Sequence, residues 1–472
     1  MQQLSPQDAL YVHMDSPNTP LQLGWLNIYD PTTAPGGTVR FKSILSHVEQ
    51  RLHTVRFFRQ RLVRVPADLD RPYWIEDEHF DLEYHIRHVA IPKPGDWRQF
   101  CILVARLFAR PFDFAKPLWE FYVIEGLENV EGFPKESFAL LAKMHHAAID
   151  GASGVDVTTF LHTPEADTPP PSPQVWHPEH VPGAGELLAR SYLSRLSTPG
   201  RVVKTVGNVL PGLKRVNAAI KAGELQAPEK RKVPRTRFAG GVGPHRVFDA
   251  RRFQLADIRR IRALVPGATV NDVLLAIVGG AMRRYLLERN ELPDTTLIAS
   301  CPISTRTEEE RGQLGNQIGS MSLGLATDVA DCVERLRVVH NESSNAKGMS
   351  DAVDVRTIVA ASHLLPGSLM ALSQRLQSRE AFADRLAQAN TTVTNVPGPQ
   401  TPLYLAGARM VSEFVLGPVL DGLGIFHAII SYCGELTLTV IADRDKLPDP
   451  DAYVRCIQGA FDELHEAAAA AE

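Results

Sequence analysis

The run SFALLAKMHHAAIDGASG occupies residues 137–154, and the rest of the chain is best read outward from it. Phe138, Leu140, Ala142 and Met144 alternate with Ala139, Leu141 and Lys143, the period of a strand over residues 137–145. Gly151-Ala152-Ser153-Gly154 breaks that period and opens a helix toward Phe160. His145 and His146 are therefore expected at a strand end, where a sheet fixes the imidazole and a turn presents it to a substrate, as general-base catalysis requires. Asp150 returns four residues after His146, where a carboxylate can hold an imidazole tautomer or brace the turn through another partner. The residues alone leave three readings of this cluster open: a catalytic base, a satisfied structural cluster and a metal site.

The surroundings weaken the metal reading. No HExxH, HxHxDH or matching Cys/His cluster accompanies the pair, and His85-x-x-His88, in a charged stretch, reads as a surface pair. The chain contains no GxSxG elbow and no GxxxxGK[ST] loop, so neither a serine hydrolase nor a nucleotide-phosphate enzyme is favoured. Cys101, Cys301, Cys332, Cys433 and Cys456 are widely spaced without a CxxC, which fits a reducing cytoplasm better than a disulfide framework. Residues 1–18 carry Asp8 and Asp15 and lack the basic start and apolar run of an export signal. Residues 357–374 are uncharged and long enough to consider as a membrane span. Pro366-Gly367 divides them, so two short helices are the expectation, with a surface-inserted segment as the other reading.

A chain of 472 residues is longer than one core usually supports, and its 44% apolar and 22% charged residues are those of an ordinary folded enzyme. Strand signals at residues 21–28 and 121–124 and a helical pattern at 41–52 precede the histidines. Seven prolines between Pro164 and Pro182 then block regular pairing and mark a linker. Residues 186–237 follow with twelve Lys or Arg against three Glu, an excess of +9 in a chain of net charge −4. Leu187, Leu188, Tyr192, Leu193 and Leu196 recur there at helical spacing beside Arg190 and Arg195. A helical connector with a solvated basic face and a helix lying on an anionic lipid surface both fit; no nucleic-acid motif is present. The mixed pattern then resumes, with a long helix at 269–289 and strands at 296–303, 426–432 and 436–442. The expected organisation is an α/β domain over residues 1–162, a linker over 163–240 and a second α/β domain over 241–472, with a ligand cleft between the domains.

His145 to Gly151 also matches the HHxxxDG motif of the bacterial wax ester synthase/diacylglycerol acyltransferase family. Leu4-Ser5-Pro6-Gln7-Asp8-Ala9, Pro117-Leu118-Trp119-Glu120 and Asn271-Asp272-Val273 resemble its opening, its PLW motif and its ND motif. Thr394-Asn395-Val396-Pro397-Gly398-Pro399 resembles the SNVPGP segment, with threonine in place of serine, and the resemblance extends over nearly the whole chain. It implies two chloramphenicol-acetyltransferase-like, condensation-domain-like domains with the active site at their interface. It further implies an O-acyltransferase that uses acyl-CoA as co-substrate, with no cofactor or metal, and a long-chain fatty alcohol or diacylglycerol as acceptor. On that reading His146 is the base, His145 supports it and Asp150 organises the turn, while Gly151, Asn271, Thr394 and Asn395 contact substrate or the developing oxyanion. The expected location is the cytoplasm, at the inner membrane or a lipid-droplet surface. A related acyltransferase acting on another hydroxyl or an amine, and a catalytically silent lipid-surface protein, are the alternatives.

Overall fold

The structure is a computed structural model that describes residues 1–149, 154–172, 174, 178–196, 232–304, 318–352 and 389–471. Seven strands precede the linker: β1 (Gln2–Gln3), β2 (Gln22–Asp30), β3 (Gln60–Val63), β4 (Tyr73–Glu76), β5 (Ile86–Ala90), β6 (Trp119–Glu125) and β7 (Phe138–His145). Eight follow it: β8 (Arg246–Gln254), β9 (Ile298–Ser304), β10 (Ile318–Gly324), β11 (Thr391–Val396), β12 (Tyr404–Leu405), β13 (Ala408–Leu416), β14 (Ile425–Tyr432) and β15 (Glu435–Asp443). They form two six-stranded sheets, in the orders β12-β13-β2-β7-β6-β5 and β10-β9-β11-β14-β15-β8, and a small sheet β1-β4-β3. Pairing is antiparallel except where β5 meets β6 and where β11 meets β9 and β14.

Every residue of β7 is buried because both of its faces are covered. Phe138, Leu140, Ala142 and Met144 face the core formed with the helices Pro6–Met14, Phe41–Glu49 and Gly154–Leu161. Ala139 and Leu141 face a second core that helix Trp97–Phe108 shares with Phe248, Phe426 and Ile430 of the other sheet. The far face of the second sheet packs on the helices Val270–Leu287 and Pro450–Ala471. Thirteen residues of Val270–Leu287 are buried, so that helix is apolar nearly all round rather than along one stripe. A Cβ at Gly279 would lie 2.2 Å from the Leu325 carbonyl oxygen, so this helix can sit against its neighbour only with glycine there.

The first sheet is completed by the C-terminal half of the chain. β13 pairs with β2 in antiparallel register, Glu413 opposite Asn27, with one irregularity between Met410 and Ser412. This places Glu413 and Asn27 side by side on the helix-covered face, both almost fully buried, with Glu413 Oε2 and Asn27 Oδ1 lacking hydrogen-bond partners among the described residues. Two neighbouring acceptors need a donor, and a protonated Glu413 supplies one. Burial accordingly raises its pKa from 4.5 to about 7.

Between these two values the unfolded chain has released the proton that the folded chain keeps, so folding takes up a proton and stability falls as pH rises. At about 1.4 kcal/mol per unit, the loss across that window is roughly 3 kcal/mol. Glu413→Gln, which keeps the shape and cannot ionise, should therefore gain melting temperature over the parent chain at about pH 8 and gain little at about pH 5. A difference that is the same at both pH values would show that Glu413 does not hold its proton.

Candidate active site

β7 ends at His145, and the chain turns directly into the short helix His146–Ile149. Three hydrogen bonds from backbone N–H groups fix this junction. His145 N donates to the Leu118 carbonyl at 3.0 Å, His146 N donates to the Leu21 carbonyl at 2.8 Å, and Ala147 N donates to His145 Nδ1 at 3.1 Å. The last bond makes Nδ1 an acceptor, so a ring proton sits on Nε2, which lies 3.4 Å from Asp15 Oδ2. Asp15 Oδ2 also accepts from Leu21 N at 2.7 Å. Asp15 thus ties the end of the first helix, the start of β2 and His145 together. The His145 ring is wholly buried between the edges of Phe112 and Phe114.

His146 differs from its neighbour: it is half-buried and its ring lies 4.0 Å from that of Tyr11, on helix Pro6–Met14. Burial lowers its pKa from 6.5 to about 4; the pull of its own backbone carbonyl opposes the shift, and His145 adds to it. His146 is therefore neutral at physiological pH. Its Nδ1 is buried with no aligned hydrogen-bond partner among the described residues. A neutral imidazole on a rigid strand end, with one nitrogen turned inward, can take up a proton at the other.

Asn271 and Asn395 come together, with Asn395 Nδ2 donating to Asn271 Oδ1 at 3.3 Å. Asn271 stands in the first turn of Val270–Leu287, and the next residue fixes that turn. Asp272 is fully buried and accepts from Thr269 N at 2.8 Å, Ser343 Oγ at 2.5 Å and His340 Nδ1 at 2.9 Å, while its own N–H donates to Thr269 Oγ1. The capping box and the two side chains of helix Cys332–Ala352 lock the segment that carries Asn271. Thr394 pairs in register with Ala428. Successive strand residues point to opposite faces, so Thr394 and Asn395 address different sides of β11. At Gly398 a Cβ would meet the Ser431 carbonyl oxygen at 2.1 Å, which explains glycine between the two prolines.

Asp150 and Gly151 lie outside the described residues, as do the segment 357–374 and most of the basic stretch. Among the described residues no hydrogen bond links the His146 group to the Asn271–Asn395 pair. His85 is not on the surface, as its spacing with His88 suggests. It is 1% exposed, stacks on Trp119 at 4.4 Å and hydrogen-bonds the Trp119 carbonyl, whereas His88 is half-exposed beside Glu125. His85 is the last residue of the short helix Leu82–His85 ahead of β5, and the charged residues beside it in sequence do not reveal which side its ring takes. Trp119 itself is core, with Nε1 donating to the Phe58 carbonyl at 2.8 Å. The PLW segment serves the histidines through its backbone, at Leu118.

A cavity of about 870 Å³ beside Pro234, Asp294, Thr296 and Asn390 lies at the far end of β11 from Asn395. Five residues of extended chain, about 17 Å, separate the two ends, so that cavity does not belong to the Asn271–Asn395 pair. Among the described residues no group of three or more His, Cys, Asp or Glu is placed to hold a metal ion. No helix among them is long and apolar enough to cross a membrane.

Residues 4–274 match the family model described as the wax ester synthase/diacylglycerol acyltransferase catalytic domain, and residues 314–465 match the WS/DGAT C-terminal domain. A Mycobacterium tuberculosis protein named as a diacylglycerol O-acyltransferase is 30% identical over 475 residues, which cover 100% of this chain and 98% of that protein. Among solved structures, the wax ester synthase/diacylglycerol acyltransferase from Marinobacter aquaeolei VT8 is similar at TM-score 0.69 and 26% identity, over 99% of this chain and 100% of that one. The starter condensation domain of rhizomide synthetase, solved as a mutant with C8-CoA, is similar in fold at TM-score 0.53 and 13% identity, over 99% of this chain and 95% of that one.

Proposed function

The chain belongs to the wax ester synthase/diacylglycerol acyltransferase family, and from that premise we propose that it moves a fatty acyl group from acyl-CoA directly to the hydroxyl of a long-chain alcohol or diacylglycerol, with His146 as base. It is an acyltransferase of the two-sheet, condensation-domain-like fold. The observation that carries the mechanism is the half-buried His146 ring at the turn that follows β7, tilted against the Tyr11 ring at 4.0 Å, where burial keeps it neutral.

With its proton on Nδ1, toward its own carbonyl, His146 offers the Nε2 lone pair to the acceptor hydroxyl. As the O–H proton moves to Nε2, oxygen bonds to the thioester carbon and the carbonyl electrons move onto its oxygen. Collapse of that tetrahedral intermediate breaks the C–S bond, and the departing sulfur takes the proton from Nε2. The ester and CoA thiol are the products, and no acyl-enzyme forms. His145, held by Ala147 N and facing Asp15, keeps the turn in place, a role that Asp150 shares on the HHxxxDG pattern, where Gly151 contacts substrate. Asn271 and Asn395 supply amide donors for the oxyanion, and Thr394 lines the other side of β11.

The reading extends to where the enzyme meets its substrates: a cytoplasmic protein that rests on an anionic lipid surface, the inner membrane or a lipid droplet. Helix Ala184–Leu196 supports it by burying Leu187 while leaving Leu188, Tyr192 and Leu193 exposed at 40%, 66% and 63%, beside Arg190. Such a face suits a lipid interface better than a connector.

Purified protein given palmitoyl-CoA with hexadecanol, diacylglycerol or an amine, the lipids supplied on neutral or anionic vesicles, tests the proposal. Free CoA and ester should appear in equal amounts, faster on anionic vesicles. Intact-mass spectrometry after acyl-CoA alone should show unmodified protein. Amide as the main product, or an acyl adduct that the alcohol discharges, would replace this reading with the alternative acceptor or with a ping-pong mechanism.

A further inference from the structure

Loop 15–21, with the sequence Asp15-Ser16-Pro17-Asn18-Thr19-Pro20-Leu21, joins helix Pro6–Met14 to β2 and meets the HHxxxDG turn at both of its ends. At one end Asp15 Oδ2 faces His145 Nε2 at 3.4 Å; at the other the Leu21 carbonyl accepts from His146 N at 2.8 Å. The two ends are tied, because Leu21 N donates to Asp15 Oδ2 at 2.7 Å. Between them Ser16 Oγ and Thr19 Oγ1 lie 2.7 Å apart and Thr19 N donates to the Ser16 carbonyl at 3.1 Å. Pro17 and Pro20 fix two of the backbone torsions. A loop so short and so tightly closed carries a displacement at its tip, Asn18, to Asp15 and Leu21.

The tip is held from the second sheet. Arg246, the first residue of β8, is 7% exposed, and its Nη2 donates to the Asn18 carbonyl, 228 positions away in the chain. Its Nη1 donates to the Gly243 carbonyl at 2.6 Å and the His245 carbonyl at 3.2 Å and lies 3.8 Å from Asp443 Oδ2. Asp443 is buried and fixed in turn by the N–H groups of Gly243, Asp445 and Lys446 at 2.7, 2.9 and 3.2 Å.

A buried arginine at a strand start ordinarily serves its own turn, and the bonds to Gly243 and His245 fit that account. The bond to Asn18 does not. It leaves the second sheet and ends on an exposed residue, whose carbonyl water can satisfy equally well. Because the guanidinium is a planar, rigid fork, the contacts inside the β8 turn fix the direction of the bond that crosses to the loop.

We propose that Arg246 is a positioning residue of the transferase reaction: it fixes loop 15–21 from the second sheet and, through Asp15 and Leu21, holds the His145–His146 turn in place. The proposal rests on His146 as the base. A catalytic group misplaced by about 1 Å can cost about 10²-fold in rate, so the loss expected without Arg246 is in kcat, with KM for acyl-CoA unchanged.

Hydrogen–deuterium exchange read by mass spectrometry, together with steady-state rates of the full chain, tests it. Arg246→Gln should speed exchange about tenfold in peptides covering residues 16–23 and 145–149, which hold the Leu21 and His146 amides, and leave the rest of the chain as it was. Its kcat should fall about 10–100-fold at unchanged KM. Arg246→Lys keeps a charge beside Asp443 and part of the donor set, should fall between the two, and decides the matter if Arg246→Gln does not fold. Arg252→Gln is the comparison: it also stands on β8 and donates to the Gly132 carbonyl at 3.3 Å, away from the loop, so its loss should alter neither peptide nor kcat. Unchanged exchange at both peptides in folded Arg246 variants would overturn the proposal. So would a rise spread evenly over the chain with kcat falling only as the folded fraction falls, or a local rise with kcat intact. A His146→Ala enzyme that keeps its rate would instead remove the base and leave the exchange result standing.

Discussion

His146→Ala should fold normally and turn over about 10²–10⁴-fold more slowly, the usual contribution of a positioned base. The fold should survive because the ring is half-buried, rests on Tyr11 and accepts no structural hydrogen bond among the described residues; the backbone bond to Leu21 belongs to the main chain and stays. His145→Ala should behave differently. Its ring is wholly buried and takes the Ala147 N–H, so its loss leaves that buried donor without its partner and opens a cavity between Phe112 and Phe114. Roughly 1–3 kcal/mol of stability should go with it. Steady-state rates of both variants, corrected for folded fraction by circular dichroism, separate the roles. A His145→Ala enzyme that is fully folded yet slower than His146→Ala would exchange them.

Asn271→Ala should lower kcat about 10²–10³-fold with little change in KM for acyl-CoA, as expected for a donor that serves charge developing in the transition state. The magnitude depends on how firmly the donor is held, and the Asp272 network with Thr269, Ser343 and His340 holds the first turn of its helix in place. Initial rates against acyl-CoA concentration distinguish the cases. A raised KM at unchanged kcat would make Asn271 a ground-state contact only, and the oxyanion role would pass from the Asn271–Asn395 pair.

The strand ending at the histidines, the helix that follows it and the long helix after Thr269 could be read from period and capping residues, because those signals are local. The pairing of β13 with β2 could not, since it joins residues almost four hundred positions apart and no periodicity carries a partner. Asp15 shows the same limit inside the site. In the sequence it counts only as a charge unsuited to an export signal, and the fold alone brings it to His145. Asn271 and Asn395 are marked by family motifs; their mutual contact arises because the fold brings the first turn of Val270–Leu287 to the end of β11, which composition does not encode. Arg246 reads as one cation among many until its burial is known. The basic helix was legible as amphipathic, but the periodic leucines do not say that Leu187 goes inward while Leu188 and Leu193 stay in solvent.

If a neutral His146 acts as the base in the free enzyme, the pH dependence of kcat/KM for acyl-CoA reports it. An imidazole of ordinary pKa would lose activity through 6.5, whereas burial keeps His146 unprotonated down to about 4. The profile should stay flat from about pH 8 to about pH 5.5, measured while circular dichroism stays native. A roughly tenfold fall with its midpoint near pH 6.5, in protein that remains folded, would contradict it.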